Sequence, residues 1–554
     1  MNLTRVDAAF VGFLSQRARL KGPKLLAFEN LLVSLLQGQR QGNNCLSLAQ
    51  PEQDLVLASG LVVTAEQANA LPLVLEHGQL YLHRYWQYEH RLASQITQLA
   101  QINFSYAFRD ENLARYFPDS VNDDGPDWQR EAAKMALTQA ICIITGGPGT
   151  GKTTTVVKIL ALLQVLSDPD QPLLIALAAP TGKATLRLQE AIVSNKAQLP
   201  CSAEIAAKLP EKVLTIHRLL GAKPLSPYFR HHAGQPLPYD LVVVDEASMI
   251  DLALMSKLVD ALKPGARLIL LGDKDQLASV ESGAVLADLT QVLPKHTLEL
   301  KKSHRFGGYI QELATAVNCQ QDSEAWQLLN TAQADVTLLS EAAIDFIVGR
   351  KLGYLKLLKA GAGMAAVFAA FNRFQVLCSN WQGQNGVLDV NQQVEKKLLG
   401  LGLISAISPF WYVGRPVMVA ENQPELQLFN GDIGICVADD KQSGRLIVVF
   451  QRADGSFKRF LPARMPRHET VFAMTIHKSQ GSEFAEVLIL LPDIVNPVLT
   501  KELLYTAITR AKTKVAISAS ESVLRATIAQ KVQRSTGLAG KLLDLQRSSI
   551  TALN

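Results

Sequence analysis

The sequence predicts an α/β protein with two parallel-sheet units, a small β-barrel inserted into the second, and a mainly helical N-terminal domain. Three observations carry that expectation. Short β-rich runs, each followed by a small or polar turn and a helical stretch, recur in "AICIITGG", "LLIALAAPTG", "DLVVVDEAS" and "ARLILLGDKD". A second group of the same texture follows: "FQVLCSN", "FAMTIHKSQGSEFAEVLILLP" and "LLYTAITRAKTKVAISAS". Between its parts, the stretch from Gly414 to Pro466 alternates at period two, with turn signals at Asn430-Gly431 and Asp454-Gly455.

Buried strand, turn and helix in alternation imply a parallel sheet covered on both faces. Ligands of such sheets sit at the carboxyl ends of the strands, where the polar turns of these runs fall. The expected division is 1–118 for the helical domain and 119–300 for the first parallel unit, with a small insertion near 190–214. The second unit takes 301–400 and 466–554, and the barrel takes 401–465. Helical periodicity before Pro118 is clear in "LLAFENLLVSLLQ" and "LYLHRYWQYEHRLASQITQLA". "FPDSVNDDGPDW" then reads as a linker.

The chain has 554 residues, enough for roughly three or four domains. Hydrophobic residues make up 48% and charged residues 19%, which supplies large cores and disfavours global disorder. A net charge of +5 suits a nucleic-acid groove without requiring one. The six cysteines, Cys45, Cys142, Cys201, Cys319, Cys378 and Cys436, form no C-x-x-C pair. Disulfide framework and zinc site are both disfavoured, as expected of a reducing compartment. Asp7 interrupts the apolar patch of "MNLTRVDAAFVGFLSQRARL", which reads as a helix and not a signal peptide. Apolar runs fall short of the roughly 18 residues that span a bilayer, so the expectation is a cytoplasmic protein without membrane contact.

"GGPGTGKT", Gly146 to Thr153, fits G-x-x-x-x-G-K-[ST] and lies between the strand "AICIIT" and the helix "TTTVVKILALLQVL". Gly146, Gly147, Pro148, Gly149, Thr150 and Gly151 would curl backbone N–H groups round an anion at a helix N-terminus. Lys152 can reach β- and γ-phosphates, the Thr153 hydroxyl can bind Mg²⁺, and Thr154 continues the helix start. ATP with Mg²⁺ is therefore the expected cofactor. In "LVVVDEAS" four apolar residues deliver Asp245, suited to the metal, and Glu246, suited to orienting the attacking water. Two acids also suit a plain helix N-terminus. The phosphate loop upstream decides for the chemistry. Gln276 in "LLGDKDQL" can touch a γ-phosphate oxygen and a neighbouring element at once.

Phosphoryl transfer needs a cation from outside the loop. Arg305 in "KKSHRF" and Arg510 in "YTAITRAK" are the candidates; both follow the first sheet, so they would complete the site across a cleft.

The pieces "WQREAA", "GGPGTGKTTT", "APTGKAT", "TIHRLLG", "VVVDEAS", "GDKDQL", "SHRF", "MTIHKSQGSEF" and "LLYTAITRAK" span Trp128 to about Ala519. In that order they resemble the superfamily 1 helicases, and within them the RecD-like branch. The resemblance implies two RecA-like motor domains, with an SH3-like barrel inserted in the second. It also implies that Gln129 reads the adenine edge. Pro180, Thr181, Lys183, Thr215 and His217 would line a DNA path on the first motor, and Thr475, His477, Ser479 and Gln480 on the second. Hydroxyls, amides and His grip a backbone without reading sequence, as a stepping motor requires.

The same resemblance implies an ATP-dependent 5′→3′ DNA helicase acting on single- and double-stranded DNA ends. Its setting would be a RecBCD-type exodeoxyribonuclease V heterotrimer with RecB-like and RecC-like subunits, in double-strand break repair. Standalone relatives carry longer N-terminal extensions with DNA-binding hairpins, so the residues before the motor are expected to dock a partner. No acidic cluster with Lys suggests a nuclease site, which places that activity in another subunit. A self-sufficient helicase is the alternative. A nucleotide switch without unwinding is a further one, against which Glu246 and the two arginines speak.

Overall fold

The computed structural model describes residues 4–553 apart from 65–70, 106–109, 119–125, 280, 303–307, 332, 406–410, 424, 441, 443 and 453–454. Arg305 and its "SHRF" motif, Asp454 and most of the linker lie outside the described residues.

Near the N terminus, helices Arg5–Ser15, Pro23–Arg40 and Gln50–Ala58 pack with four short strands. These are β1 (Cys45–Ser47), β2 (Val62–Thr64), β3 (Leu73–Glu76) and β4 (Gln79–Leu82), in sheet order β1-β4-β3-β2. The sheet adds to the helices that periodicity predicts. His77 and Gly78, at φ 48° and 73°, turn β3 into β4, the backbone hand that matches strand twist. Phe28, Leu32, Leu73 and Leu80 close this core from both layers.

The first parallel sheet consists of β5 (Ile141–Thr145), β6 (Ile175–Ala179), β7 (Val213–Thr215), β8 (Leu241–Val244), β9 (Arg267–Gly272) and β10 (Thr297–Glu299). Their order is β10-β5-β9-β8-β6-β7, and every neighbouring pair is parallel. Every residue of β5, β8 and β9 is buried. Side chains alternate between two cores: Ile141, Ile143, Val242 and Leu268 face one, Cys142, Ile144, Val243 and Ile269 the other. A strand apolar on both sides has its place only in such a covered sheet, which explains the uninterrupted runs in the sequence.

The chain then forms β11 (Val336–Leu338) and β12 (Phe374–Cys378). It leaves to make β13 (Pro416–Val419), β14 (Ile433–Ala438), β15 (Leu446–Gln451), β16 (Phe457–Phe460) and β17 (His468–Thr470). It returns for β18 (Ala473–Thr475), β19 (Phe484–Leu490) and β20 (Ala511–Ser518). The second parallel sheet has the order β11-β20-β19-β12-β18. The intervening strands form an antiparallel sheet, β16-β15-β14-β13-β17, with a small core of Val417, Val419, Val448 and Phe450.

Two elements cross the expected boundaries. Helix His83–Gln101 buries Leu92, Ala93 and Ile96 beneath the first parallel sheet, although the sequence reading kept it in the N-terminal domain. The last helix, Leu538–Leu553, packs on that helix and on Val285–Val292, not on the second sheet to which residues up to 554 were assigned. Leu538 and Leu542 complete the same core, which is why the chain returns there. No helix among the described residues is long and apolar enough to cross a membrane.

Candidate active site between the two parallel sheets

β5, β9 and β8 are neighbours, so their carboxyl ends set the Gly146–Thr153 loop, Asp273 and the Asp245-Glu246 pair side by side. These groups line a cavity of about 900 Å³, together with Gln129, Gln276 and Arg510. Gly151 ends the loop at φ 82°, and a Cβ there would stand 2.9 Å from Gln129 Nε2. Glycine thus serves both the left-handed turn and the close seat of the Gln129 amide. Helix Lys152–Leu166 starts immediately after, its first N–H groups opening toward the cavity. Lys152 Nζ donates to the carbonyls of Gly146 and Gly147 at 2.6 and 2.9 Å, which holds the ammonium over the loop. Thr153 and Thr154 complete the rim.

Burial pushes the Asp245 carboxyl up to about 6; the Glu246 charge adds to this, and Lys152 opposes it. A buried acid so destabilised as an anion suits a divalent cation, with Thr153 beside it. Glu246 sits in the left-handed region at φ 53°, ψ 41°, rare for a residue with a side chain and typical of strain held at functional sites. Asp273 is likewise pushed up to about 6 by burial, against the pull of Lys152.

The second unit closes the cavity. Arg510 follows helix Lys501–Ile508 and is 3% exposed. Its guanidinium donates to the carbonyls of Thr506 (3.1 Å) and Ser482 (3.4 Å), and across the cleft to Gln276 Oε1 at 2.5 Å. Gln276 Nε2 donates to Asp273 at 3.0 Å, and the Tyr505 hydroxyl donates to the same carboxylate oxygen at 3.1 Å. The Leu277 N–H donates to Thr506 Oγ1 at 2.9 Å.

Residues singled out for a strand path lie along the β6-β7 end of the first sheet and on β18 of the second. Thr181 and Thr215 each cap a helix, accepting from Ala184 N and Arg218 N at 3.2 and 3.3 Å. Pro180 precedes the first cap, and Lys183, one turn on, is pushed down to about 8 by burial and by Arg187. His217 stands edge-on to Phe229 at 5.7 Å. Thr475 accepts from Lys478 N at 3.3 Å, and burial with the nearby Arg534 charge lowers His477. Two of the set do not face outward. Ser479 is fully buried and donates to the Ile476 carbonyl at 2.6 Å, so it shapes its own turn. Gln480 reaches across the cleft to the Leu277 carbonyl at 3.1 Å, because the "HKSQG" turn lies against the first unit.

Sequence reasoning missed Asp273, Tyr505, Arg187, Glu483 and Lys512 among the groups at the site. Glu483 pairs with Arg187 at 3.2 Å and with Lys512 at 3.3 Å. Asp273 was legible as the first acid after an apolar strand, the position that singled out Asp245. The others needed the cleft to be seen. Among the described residues no group of three or more His, Cys, Asp or Glu stands ready for a metal by itself.

One phosphate loop shared by two parallel sheets, with an arginine from the second reaching the first, defines an ATPase of the helicase class. The family described as an AAA domain matches residues 129–282, and the UvrD-like helicase C-terminal domain matches residues 470–518. The RecBCD enzyme subunit RecD of Mycolicibacterium smegmatis is 41% identical over 471 residues, 84% of this chain and 82% of that protein. RecD of Haemophilus influenzae is 34% identical over 88% of this chain and 84% of its own. The ATP-dependent RecD2 DNA helicase of Deinococcus radiodurans is 30% identical over 83% of this chain and 58% of its own length. The chain belongs to the RecD family.

Proposed function

We propose that the chain is the RecD-type motor of a RecBCD-like helicase–nuclease. It is an ATP-dependent DNA helicase that works 5′→3′ from DNA ends beside RecB-like and RecC-like subunits, in the cytoplasm, during double-strand break repair. The Gln276–Arg510 bond carries the reading, because it joins the phosphate site of one sheet to a cation of the other. Identity of 41% to a RecBCD subunit, against 30% to RecD2, supports the complex over a standalone enzyme.

Within that reading Lys152 and residues 146–151 hold the β- and γ-phosphates. Thr153 and Asp245 hold Mg²⁺, which when bound neutralises phosphate charge. Glu246 orients the attacking water, and Gln129 meets the adenine. Arg510 moves from Gln276 to the charge that develops on the transferred group, and Arg305 is assigned the same duty. Pro180, Thr181, Lys183, Thr215, His217, Thr475 and His477 lie along the strand. Ser479 and Gln480 shape the loop and seam behind them. We assign residues 1–118 to partner docking and the antiparallel sheet to an SH3-like insertion.

The test is ATP turnover with and without single-stranded DNA, and unwinding of duplexes with either overhang, with partner subunits present. Turnover raised by DNA and unwinding from a 5′ overhang are expected. Activity confined to 3′ overhangs would overturn the polarity, and turnover indifferent to DNA would overturn the motor.

A further inference from the structure

Tyr505 belongs to none of the roles assigned so far, yet its hydroxyl hangs over the phosphate loop. A Cβ on Gly147 would stand 3.1 Å from it. The hydroxyl donates to Asp273 Oδ2 at 3.1 Å, the atom that also accepts from Gln276 Nε2 at 3.0 Å. Gln276 then turns its carbonyl oxygen to Arg510. These bonds close a ring across the cleft: Tyr505 and Arg510 on the second unit grip Asp273 and Gln276 on the first.

The ring has a direction. A Gln side chain has one donor end and one acceptor end. Asp273 is acceptor-only when ionised, so it takes the amide NH₂ and leaves the carbonyl for the guanidinium. With the amide reversed, two donors would face each other at Arg510. Asp273 therefore sets the polarity of Gln276, and the Tyr505 hydroxyl fixes the oxygen of Asp273 that does so. Beside the Leu277–Thr506 and Gln480–Leu277 bonds of the same cleft, the Tyr505 bond is the one that stays on Asp273 when Arg510 leaves Gln276.

We infer that Tyr505 is a positioning residue for ATP turnover: it keeps the two units in register through Asp273 while Arg510 exchanges Gln276 for the γ-phosphate. This rests on the motor reading above. Removal of the hydroxyl leaves nucleotide binding to the loop intact and loosens the cleft beside Asp273 just as Arg510 has to swing.

The experiment compares wild type, Tyr505→Phe, Asp273→Asn and the double variant in the full chain with partner subunits, at saturating single-stranded DNA. Phenylalanine keeps the ring and its packing, and thermal melting within a degree or so of wild type checks the fold. A hydrogen bond to a charged acceptor corresponds to about 10- to 100-fold in rate. Tyr505→Phe is expected to lower kcat by that factor with KM for ATP held within about twofold. The double variant should be no slower than Asp273→Asn alone, since both act through one contact. A Tyr505→Phe kcat within about twofold of wild type would overturn the inference alone, and so would losses that multiply in the double variant. An inert wild type would instead overturn the motor reading from which this inference starts.

Discussion

Arg510→Ala tests the site most directly. In the structure the guanidinium is 3% exposed and its mapped donors meet the carbonyls of Thr506 and Ser482 and the amide oxygen of Gln276, all neutral. A buried cation held by neutral acceptors is loosely committed, each such bond contributing about 1.5–3 kcal/mol net where a carboxylate or phosphate would add its charge. A transferring phosphoryl group offers far stronger acceptors, so exchange toward it is downhill. An arginine in this role is worth roughly 10³-fold or more in turnover, about 4 kcal/mol on the barrier. Arg510→Ala should therefore reduce DNA-stimulated kcat by about that factor. Affinity for a fluorescent ATP analogue should stay within a few-fold, since Lys152 and the loop remain. Arg510→Lys keeps the charge but loses the fork, and should fall between the two. The assay is steady-state phosphate release at saturating DNA, with analogue binding measured on the same preparations. An Arg510→Ala enzyme within tenfold of wild-type kcat would remove this residue from the chemistry.

Lys152→Gln should abolish turnover while leaving the fold intact, because the hydrogen bonds of the side chain are to its own loop; residual hydrolysis above background would refute the phosphate assignment. Lys351 is fully buried, donates to the Phe371 and Phe374 carbonyls, and is pushed down to about 7 by burial. Between pH 7 and 9 the unfolded lysine holds more proton than the folded one. Stability therefore rises with pH, by about 2 kcal/mol against a Lys351→Met reference, in urea unfolding at each pH; a flat difference would refute this. Gly537→Ala would drive a methyl into the Tyr81 hydroxyl. It should cost about 1–3 kcal/mol, read as a lower melting temperature, and an unchanged one would mean the tail sits elsewhere.

What the sequence made legible follows one physical pattern. Parallel strands buried on both faces need uninterrupted apolar runs, so β5, β8 and β9 were visible at once, along with the polar turns at their ends. Local motifs pointed to Lys152, Asp245 and Glu246 for the same reason, and the three line one cavity. The N-terminal sheet was hidden because its strands are three or four residues long, too short for period two to show beside helical periodicity. Its one signal was His77-Gly78 between "LVLE" and "QLYL". Outward-facing roles were harder. Ser479 and Gln480 look like surface polar residues, yet one satisfies a buried turn and the other the seam. Tyr505 lies far from its partner Asp273 in sequence, and nothing local announces that the two meet.

The joints between the parts of the molecule differ in kind, and the difference suits a motor. At the nucleotide cleft the mapped bonds are Gln276–Arg510, Leu277–Thr506, Leu277–Gln480 and Tyr505–Asp273, with the Arg187–Glu483 pair beside them. At about 1 kcal/mol for each neutral bond, about 1.5–3 for each of the two that involve a charged group, and less for the partly exposed pair, the seam is worth on the order of 5–8 kcal/mol. That is close to the roughly 5.5 kcal/mol that carries a two-state equilibrium from 1:99 to 99:1, so one nucleotide is enough to open or close it. The tail joint is built otherwise. Lys541 lies between Glu76 and Glu89 at 2.6 and 3.0 Å, with Glu89 fully buried and also bonded to Asn44 and the Gly537 N–H. Separating such a cluster strands an uncompensated charge in the core, at about 3–5 kcal/mol for one partner alone. The soft cleft is therefore where ATP-driven motion is expected, with the tail joined to the N-terminal sheet and the first parallel unit by the stronger contacts.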